Sequence, residues 1–233
     1  MRTASQRAPL ILLSVAALAF AADSPTGFPF SDETLRYQVN WPSGLSLGEV
    51  NLTAHRSGDD WDLGMSLDVA IPGAPYLDRY HSINTAEQCS SEFERASRHG
   101  TRITNEKTTF DYEQGRASRV TKDGGKSEVT IRSCARDALA FLYFARRELG
   151  QGRIPPQQEV FFGASYSVRL EYTGEQTVTV AGKPAVSDRV VVSFRGPASN
   201  ASFEIFFARD AARTPLLVRI PSNLGTIIME LVR

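Results

Sequence analysis

The chain has 233 residues, with 26 Lys+Arg balanced by 26 Asp+Glu, 42% hydrophobic residues and 9% aromatics. This composition is globular and excludes the disordered and collagenous classes. A formal net charge of zero also argues against a dedicated nucleic-acid binder, which carries a basic excess, and the length suits one large β-domain or two small ones.

The N-terminus reads as a secretory signal peptide. Arg2 and Arg7 supply a positive start, Leu10 to Phe20 form a short apolar run, and Ala19-Phe20-Ala21 is a small-x-small cleavage site. The run is shorter than the roughly 20 residues that span a bilayer. The alternative is an uncleaved anchor, which the polar Asp23-Ser24-Pro25 immediately after it disfavours. Cleavage near Ala21 predicts export and a mature domain over 22–233 that begins near Ala22. Without Arg2 and Arg7 that domain holds 24 basic and 26 acidic residues, a charge of about −2. No later apolar stretch reaches membrane length, so the mature chain is expected to be soluble or a β-barrel.

Period-two alternation dominates the mature chain. It runs through Leu35-Tyr37-Val39-Trp41, then Trp61-Leu63-Met65-Leu67-Val69-Ile71, each placing one strand face on a core. Between them, in Leu47 to Ala54, the apolar parity flips after Gly48, which predicts a bulge. A helical pattern interrupts at 137–149, where Ala138, Phe141, Leu142, Ala145 and Leu149 share a face. Asp137 is placed to cap its start or sit in its first turn, Gly150 to follow its end at C′, and Pro155 and Pro156 lie beyond. Alternation resumes in Tyr166-Val168-Leu170-Tyr172, Val190-Val192-Phe194, Phe203-Ile205-Phe207, Leu216-Val218-Ile220 and Ile227-Met229-Leu231.

Turn signals at Pro42-Ser43-Gly44, Ser57-Gly58-Asp59, Asp123-Gly124-Gly125, Ala181-Gly182-Lys183 and Gly196-Pro197 predict antiparallel hairpins. The expected fold is therefore mainly β, a large curved antiparallel sheet or barrel of roughly a dozen strands with one packed α-helix. Two β-subdomains split at the helix are the alternative.

Cys89 and Cys134 are the only cysteines. In an exported chain they read as one disulfide, closing a loop of about 46 residues and contributing roughly 4 kcal/mol in the chain-entropy picture. Two buried thiols are the other reading. A metal site would need His or carboxylate partners at ligand spacing, and none is near.

Near-motifs are weak. Gly125-Lys126-Ser127 resembles the end of a phosphate loop, but Val120 stands where that loop needs glycine and the flanks read as a hairpin. Gly163-Ala164-Ser165-Tyr166-Ser167 resembles a nucleophile elbow without its last glycine or its following helix. His55, His81 and His99 form no local metal pattern. His81, in the aromatic and polar stretch Tyr76 to His81, could line a pocket or decorate a sheet surface. Glu92 and Glu94 share a strand face about 7 Å apart, and Ser90 is expected on that face too. A solvated polar face explains them more simply than acid–base chemistry. Asn51-Leu-Thr53 and Asn200-Ala-Ser202 match glycosylation sequons, which matter only in a eukaryotic secretory chain. No catalytic residue, cofactor or metal is assigned.

Several segments together resemble a bacterial family catalogued as domain of unknown function 3108. Leu35-Arg-Tyr-Gln-Val-Asn-Trp41 with Leu47-Gly-Glu-Val50 resembles its opening hairpin. Asp137 to Arg147 is similar to its central "D … L-Y-x-x-R" helix, and Ala208-Arg-Asp210, Thr214-Pro-Leu-Leu-Val218 and Gly225 to its closing strands. The resemblance implies an exported envelope protein with a curved antiparallel sheet or barrel, and it carries no established catalytic residues.

Four functions compete. A barrel or curved sheet can enclose an apolar or amphipathic, lipid-like ligand, and the inward aromatics Tyr37, Trp41, Trp61, Phe203 and Phe207 either line that cavity or fill the core. An assembly partner would use an exposed, uncharged edge strand. A hydrolase would need His81 or His99 in a pocket beside a serine or carboxylate. An outer-membrane barrel fits least, because such chains usually end in an aromatic residue and this one ends Leu231-Val232-Arg233. The binding module ranks first.

Overall fold

The computed structural model describes residues 32–71, 74–223 and 225–232. The predicted signal segment lies outside them. In chain order the elements are β1 (Glu33–Asn40), β2 (Ser46–Ser57), β3 (Asp60–Ile71), β4 (Ala74–Asn84), β5 (Ser90–His99), β6 (Arg102–Asp111), β7 (Arg116–Thr121) and β8 (Lys126–Thr130). Then come β9 (Arg136–Asp137), α1 (Ala138–Gly150), β10 (Gln158–Phe161), β11 (Ser165–Val180), β12 (Lys183–Arg195), β13 (Asn200–Ala208), β14 (Pro215–Ser222) and β15 (Gly225–Leu231).

All fifteen strands join one open sheet, in the order β8-β7-β6-β5-β4-β3-β2-β1-β15-β14-β13-β12-β11-β10-β9. Two meanders thus run outward from a central β1–β15 pair, where Tyr37 opposes Leu231 and Val39 opposes Met229. Every pairing is antiparallel except β9 with β10. Parallel neighbours cannot be joined by a tight hairpin, and α1 is the crossover that joins them. The expected large antiparallel sheet with one helix is present, as an open sheet rather than a closed barrel.

The alternating segments become strands whose apolar face looks inward. Tyr37, Val50, Leu52, Ala54 and Leu63 are buried on one half of the sheet, and Val190, Ile205 and Phe207 on the other. The parity flip at Gly48 is a register shift opposite Val39 and Asn40. Gly48 sits at φ +145, and a Cβ there would stand 2.0 Å from the Asp68 carbonyl oxygen, so only glycine fits the bulge.

Strands β4 to β8 had no apolar alternation to announce them, because their inward face is in good part polar. Asp78, Ser82, Asn84, Ser90, Ser97, Glu106 and Thr108 all point inward and are buried. One expectation about this region is corrected. A bulge lies between the pairs Ile83–Glu92 and Asn84–Ser90, so Ser91 is an extra residue. It turns Ser90 to the buried inner face while Glu92 and Glu94 remain on the outer one.

The helix fills the interior. Leu139 and Tyr143 join the core of the β1–β7 half, while Phe141, Ala145 and Leu149 join that of the β10–β14 half. Facing two surfaces, α1 is buried almost all round, which explains why Arg146, the arginine of the L-Y-x-x-R motif, is fully buried although it lies off the apolar face. Glu33 receives the Arg146 guanidinium on both carboxylate oxygens, and Arg146 Nε donates to the Ala212 carbonyl at 3.1 Å. Gly150 is the last helical residue rather than C′; Gln151 caps the end and Gly152 takes the left-handed turn at φ +72.

Edge strand β9 curls back toward the start of β5, where β6 no longer pairs. Ser90 N–H donates to the Ala135 carbonyl at 2.9 Å, and Tyr112 Oη–H donates to the Ser90 carbonyl at 2.7 Å. The Cys89–Cys134 disulfide, with Cα atoms 4.9 Å apart, crosses the same seam. From β5 round to β9 the sheet thus nearly encircles α1, and β6 and β7 continue past the seam with Phe110 and Ala117 still in the core.

Arg146→Ala is expected to cost about 3–5 kcal/mol in urea unfolding and Arg146→Met clearly less, because the first strands Glu33 without a counter-charge or filler. The Cys89→Ser, Cys134→Ser double variant should lose about 2–4 kcal/mol in the same assay.

Candidate functional site

The buried ionisable groups are held by partners from within the fold. Asp137 is wholly buried at the N-cap of α1. Its Oδ1 accepts the Leu139 and Ala140 N–H groups at 2.8 and 3.1 Å. Its Oδ2 accepts the hydroxyls of Ser82 and Ser90, the latter at 2.6 Å, and Asn84 Nδ2 donates to Ser82 Oγ at 3.0 Å. Ser90 Oγ also accepts the Asp137 N–H at 2.8 Å. Both carboxylate oxygens are occupied from within, which makes this group a fastener between α1, β4 and β5. Tyr37 and Tyr143 flank the Arg146–Glu33 pair; burial pushes both phenols above their usual range, and Tyr37 Oη–H donates to the Pro215 carbonyl at 2.9 Å. The interior is thus committed to structure. The inward aromatics Tyr37, Trp61 and Phe207 are buried in that core, with Trp41 and Phe203 packed on it.

Two hollows among the described residues are open to ligands. The larger, about 740 Å³, is a trough on the outer face of β2 to β7. Strand register explains it. One outer row runs Thr53, Gly64, His81, Glu94, Lys107, Val120 across neighbouring strands. A second runs Asn51, Ser66, Arg79, Ala96, Asn105, reaching Lys122 through its N–H to the Asn105 carbonyl at 2.9 Å. Between them lies the backbone of Met65, Tyr80, Arg95 and Glu106, whose side chains point inward. Five strand spacings of about 4.8 Å make the trough roughly 24 Å long.

Small residues keep the floor low: a Cβ on Gly64 would stand 2.5 Å from Thr53 Oγ1. The walls are mostly carbon, with charged tips at the rim. Lys107 bridges Glu92 at 2.5 Å and Glu94 at 3.2 Å, and both hold its ammonium above the usual range. Arg79 donates to the Asp78 and Leu67 carbonyls, at 2.8 and 3.3 Å, and not to a carboxylate.

The smaller hollow, about 170 Å³, lies behind the same strands on the inner face, lined by Tyr80, Arg95, Ser97, His99, Arg102, Thr104 and Phe162. Beneath it Asp78 accepts the Tyr80 hydroxyl at 2.8 Å and meets His99 Nε2 at 2.9 Å.

The structure separates the three histidines. His55 meets Asp32 at 3.4 Å on the surface, His81 meets Asp62 at 3.0 Å beside the trough, and His99 faces the hollow. His99 does stand beside a carboxylate in a pocket, the arrangement a hydrolase would require. Among the described residues its ring hydrogen-bonds to Asp78 and not to a serine hydroxyl. Among those residues no group of three or more His, Cys, Asp or Glu could hold a metal ion. Gly125-Lys126-Ser127 lies at the β7–β8 turn, and Gly163 lies in the β10–β11 turn, with strand following each. Edge strand β8 is exposed throughout but carries Lys126 and Glu128, and charge on an edge discourages strand pairing.

Sequence reasoning noticed His81 and the Glu92–Glu94 pair but missed the two rows and the Asp78–His99 pair. Register was the absent information, since the rows exist only once neighbouring strands are aligned.

Comparison with known proteins places the chain. The family described as "Protein of unknown function (DUF3108)" matches residues 36–232. The chain belongs to this family. A crystal structure of a β-barrel-like protein of domain of unknown function DUF1849 from Brucella abortus shares the fold, with TM-score 0.60 at 9% identity over 87% of this chain and 96% of that one. A Bacteroides fragilis protein with a YmcC-like fold aligns at TM-score 0.36 and 7% identity, over 89% of this chain and 99% of that one. No curated protein matches the chain. The similarity of this family member to the Brucella protein concerns fold alone.

Burial pushes the Asp137 carboxyl above its ordinary value of 3.8, against the opposing pull of its hydrogen bonds. A carboxyl that holds its proton more tightly when folded stabilises most below its unfolded value and loses that contribution as pH rises through the folded one. The stability of wild type relative to Asp137→Asn should therefore fall as pH rises above about 4. Urea unfolding across that range checks it, and a difference that grows with pH would refute the assignment.

Proposed function

We propose that this DUF3108 protein is an exported, non-catalytic binding module of the bacterial cell envelope, released by cleavage near Ala21, whose ligand is amphipathic with an anionic group. The observation that carries the reading is the 740 Å³ trough, carbon-walled and rimmed by Arg79, Lys107 and Lys122. An extended apolar body fits along the low floor of Gly64 and Ala96, and the anionic group fits beside Arg79 and Lys122, since Lys107 is already bridged to Glu92 and Glu94. The interior is filled in large part by the helix residues Leu139, Phe141, Tyr143, Ala145 and Leu149. Export rests on the signal-like N-terminus and on a disulfide that suits an oxidising compartment.

The test is mass spectrometry on protein purified from its native envelope without detergent. A mass excess under native conditions that vanishes on denaturation, with a defined amphiphile in the extract, is the expected result. Ala96→Trp, which fills the trough from an exposed position, should abolish the excess and leave the thermal midpoint unchanged. A bare chain, or an excess that Ala96→Trp leaves intact, would overturn the reading. The denatured spectrum also reports a start near Ala22 and the loss of two hydrogens expected for the Cys89–Cys134 bond.

A further inference from the structure

We infer that the 170 Å³ hollow on the inner face of β4, β5 and β6 is a second, separate binding site, for a phosphate group, whatever occupies the trough. The hollow is large enough for a single tetrahedral oxyanion with some of its hydration.

Its charge matches such an anion. The wall carries Arg95, Arg102 and His99 with the hydroxyls of Ser97 and Thr104, and no carboxylate. The nearby carboxylates are withdrawn beneath it and already engaged. Asp78, buried, takes the Tyr80 hydroxyl and His99 Nε2. Glu106, also buried, serves two guanidiniums at once, Arg95 at 3.3 Å and Arg119 at 2.8 Å. Arg102 is left with no carboxylate partner among the described residues. Three arginines thus face two carboxylates, leaving one surplus positive charge at the hollow from these groups alone.

The donors are also held in place. The Arg95 guanidinium lies over the Phe162 ring at 4.9 Å and is braced by Glu106. The Gly163 turn presses close behind, where a Cβ would stand 2.9 Å from Arg95 Nη1 and 2.6 Å from Glu106 Oε1. A fixed guanidinium beside a free one, with two hydroxyls between, supplies the forked donors that bind phosphate oxygens.

The test is an NMR titration of the mature chain with inorganic phosphate, against chloride at matched ionic strength. Saturable shifts centred on Ser97, Arg102 and Thr104, with phosphate only, are expected. Arg102→Gln, an exposed position that leaves the core alone, should weaken binding about tenfold, while Lys122→Gln in the trough should not. Shifts that appear equally with chloride, or an affinity unchanged by Arg102→Gln, would overturn the site. Vesicles of phosphatidylcholine with and without phosphatidic acid distinguish the source. Phosphatidic-acid-dependent binding displaced by inorganic phosphate supports a lipid headgroup. Phosphate binding without vesicle binding supports a soluble phosphate compound.

Discussion

Arg146 carries a full charge into the middle of the protein, and the surrounding structure keeps that charge paired. A buried guanidinium without a counter-ion is one of the most costly groups a fold can contain. Glu33, at the start of β1, and the Ala212 carbonyl, just before β14, supply its partners. The helix is thereby joined to β1 and to the approach to β14, segments remote from it in sequence. At the helix's other end Asp137 does the same for β4 and β5. Both ends of α1 are thus fixed by ionisable groups, and the apolar residues between them serve both half-sheets at once.

A helix held in this way decides where a ligand can go. A curved sheet invites comparison with barrels that enclose their cargo, but here the enclosed volume is taken by Leu139, Phe141, Tyr143 and their neighbours. Space for ligands is left on the outer face of β2 to β7 and, on the inner face, at the ends of β4, β5 and β6 remote from Asp137. Trough and hollow lie back to back there, sharing Tyr80, Arg95 and Glu106 as floor backbone on one side and as wall or support on the other. The inner faces of these strands are mixed: Ser82, Asn84 and Ser90 meet the helix cap, Phe93 and Phe110 join the core, and Ser97, Arg102 and Thr104 face the hollow. Their polar part gives the hollow its donors and Asp78 and Glu106 their partners.

Likeness to the Brucella abortus protein at TM-score 0.60 with 9% identity shows how little of this architecture depends on particular side chains. Antiparallel meanders need alternation and turns, and many sequences supply both. The trough and hollow depend instead on specific residues such as Gly64, Arg102 and Gly163, so the shared fold leaves open whether that protein has either.

Much of the scaffold was legible in the residues alone. Alternation announced the strands with an apolar inner face, Gly48 announced its bulge, Asp137 and the 3.6-residue spacing announced the helix, and the ordered motifs announced the family. These signals are local, set by backbone sterics and by the repeat of a strand or helix, so a window of about ten residues contains them. In β4 to β8 polar inward residues erase the alternation, and only the turn at Asp123-Gly124-Gly125 and the Glu92–Glu94 spacing marked strands there. Ser90 was placed on the wrong face because a single bulged residue reverses the facing of its neighbours. The burial of Arg146, the pairing of Asp78 with His99, and the two rows that make the trough join residues from separate strands. Those relations arise from register and from where the helix packs, which only the tertiary structure decided.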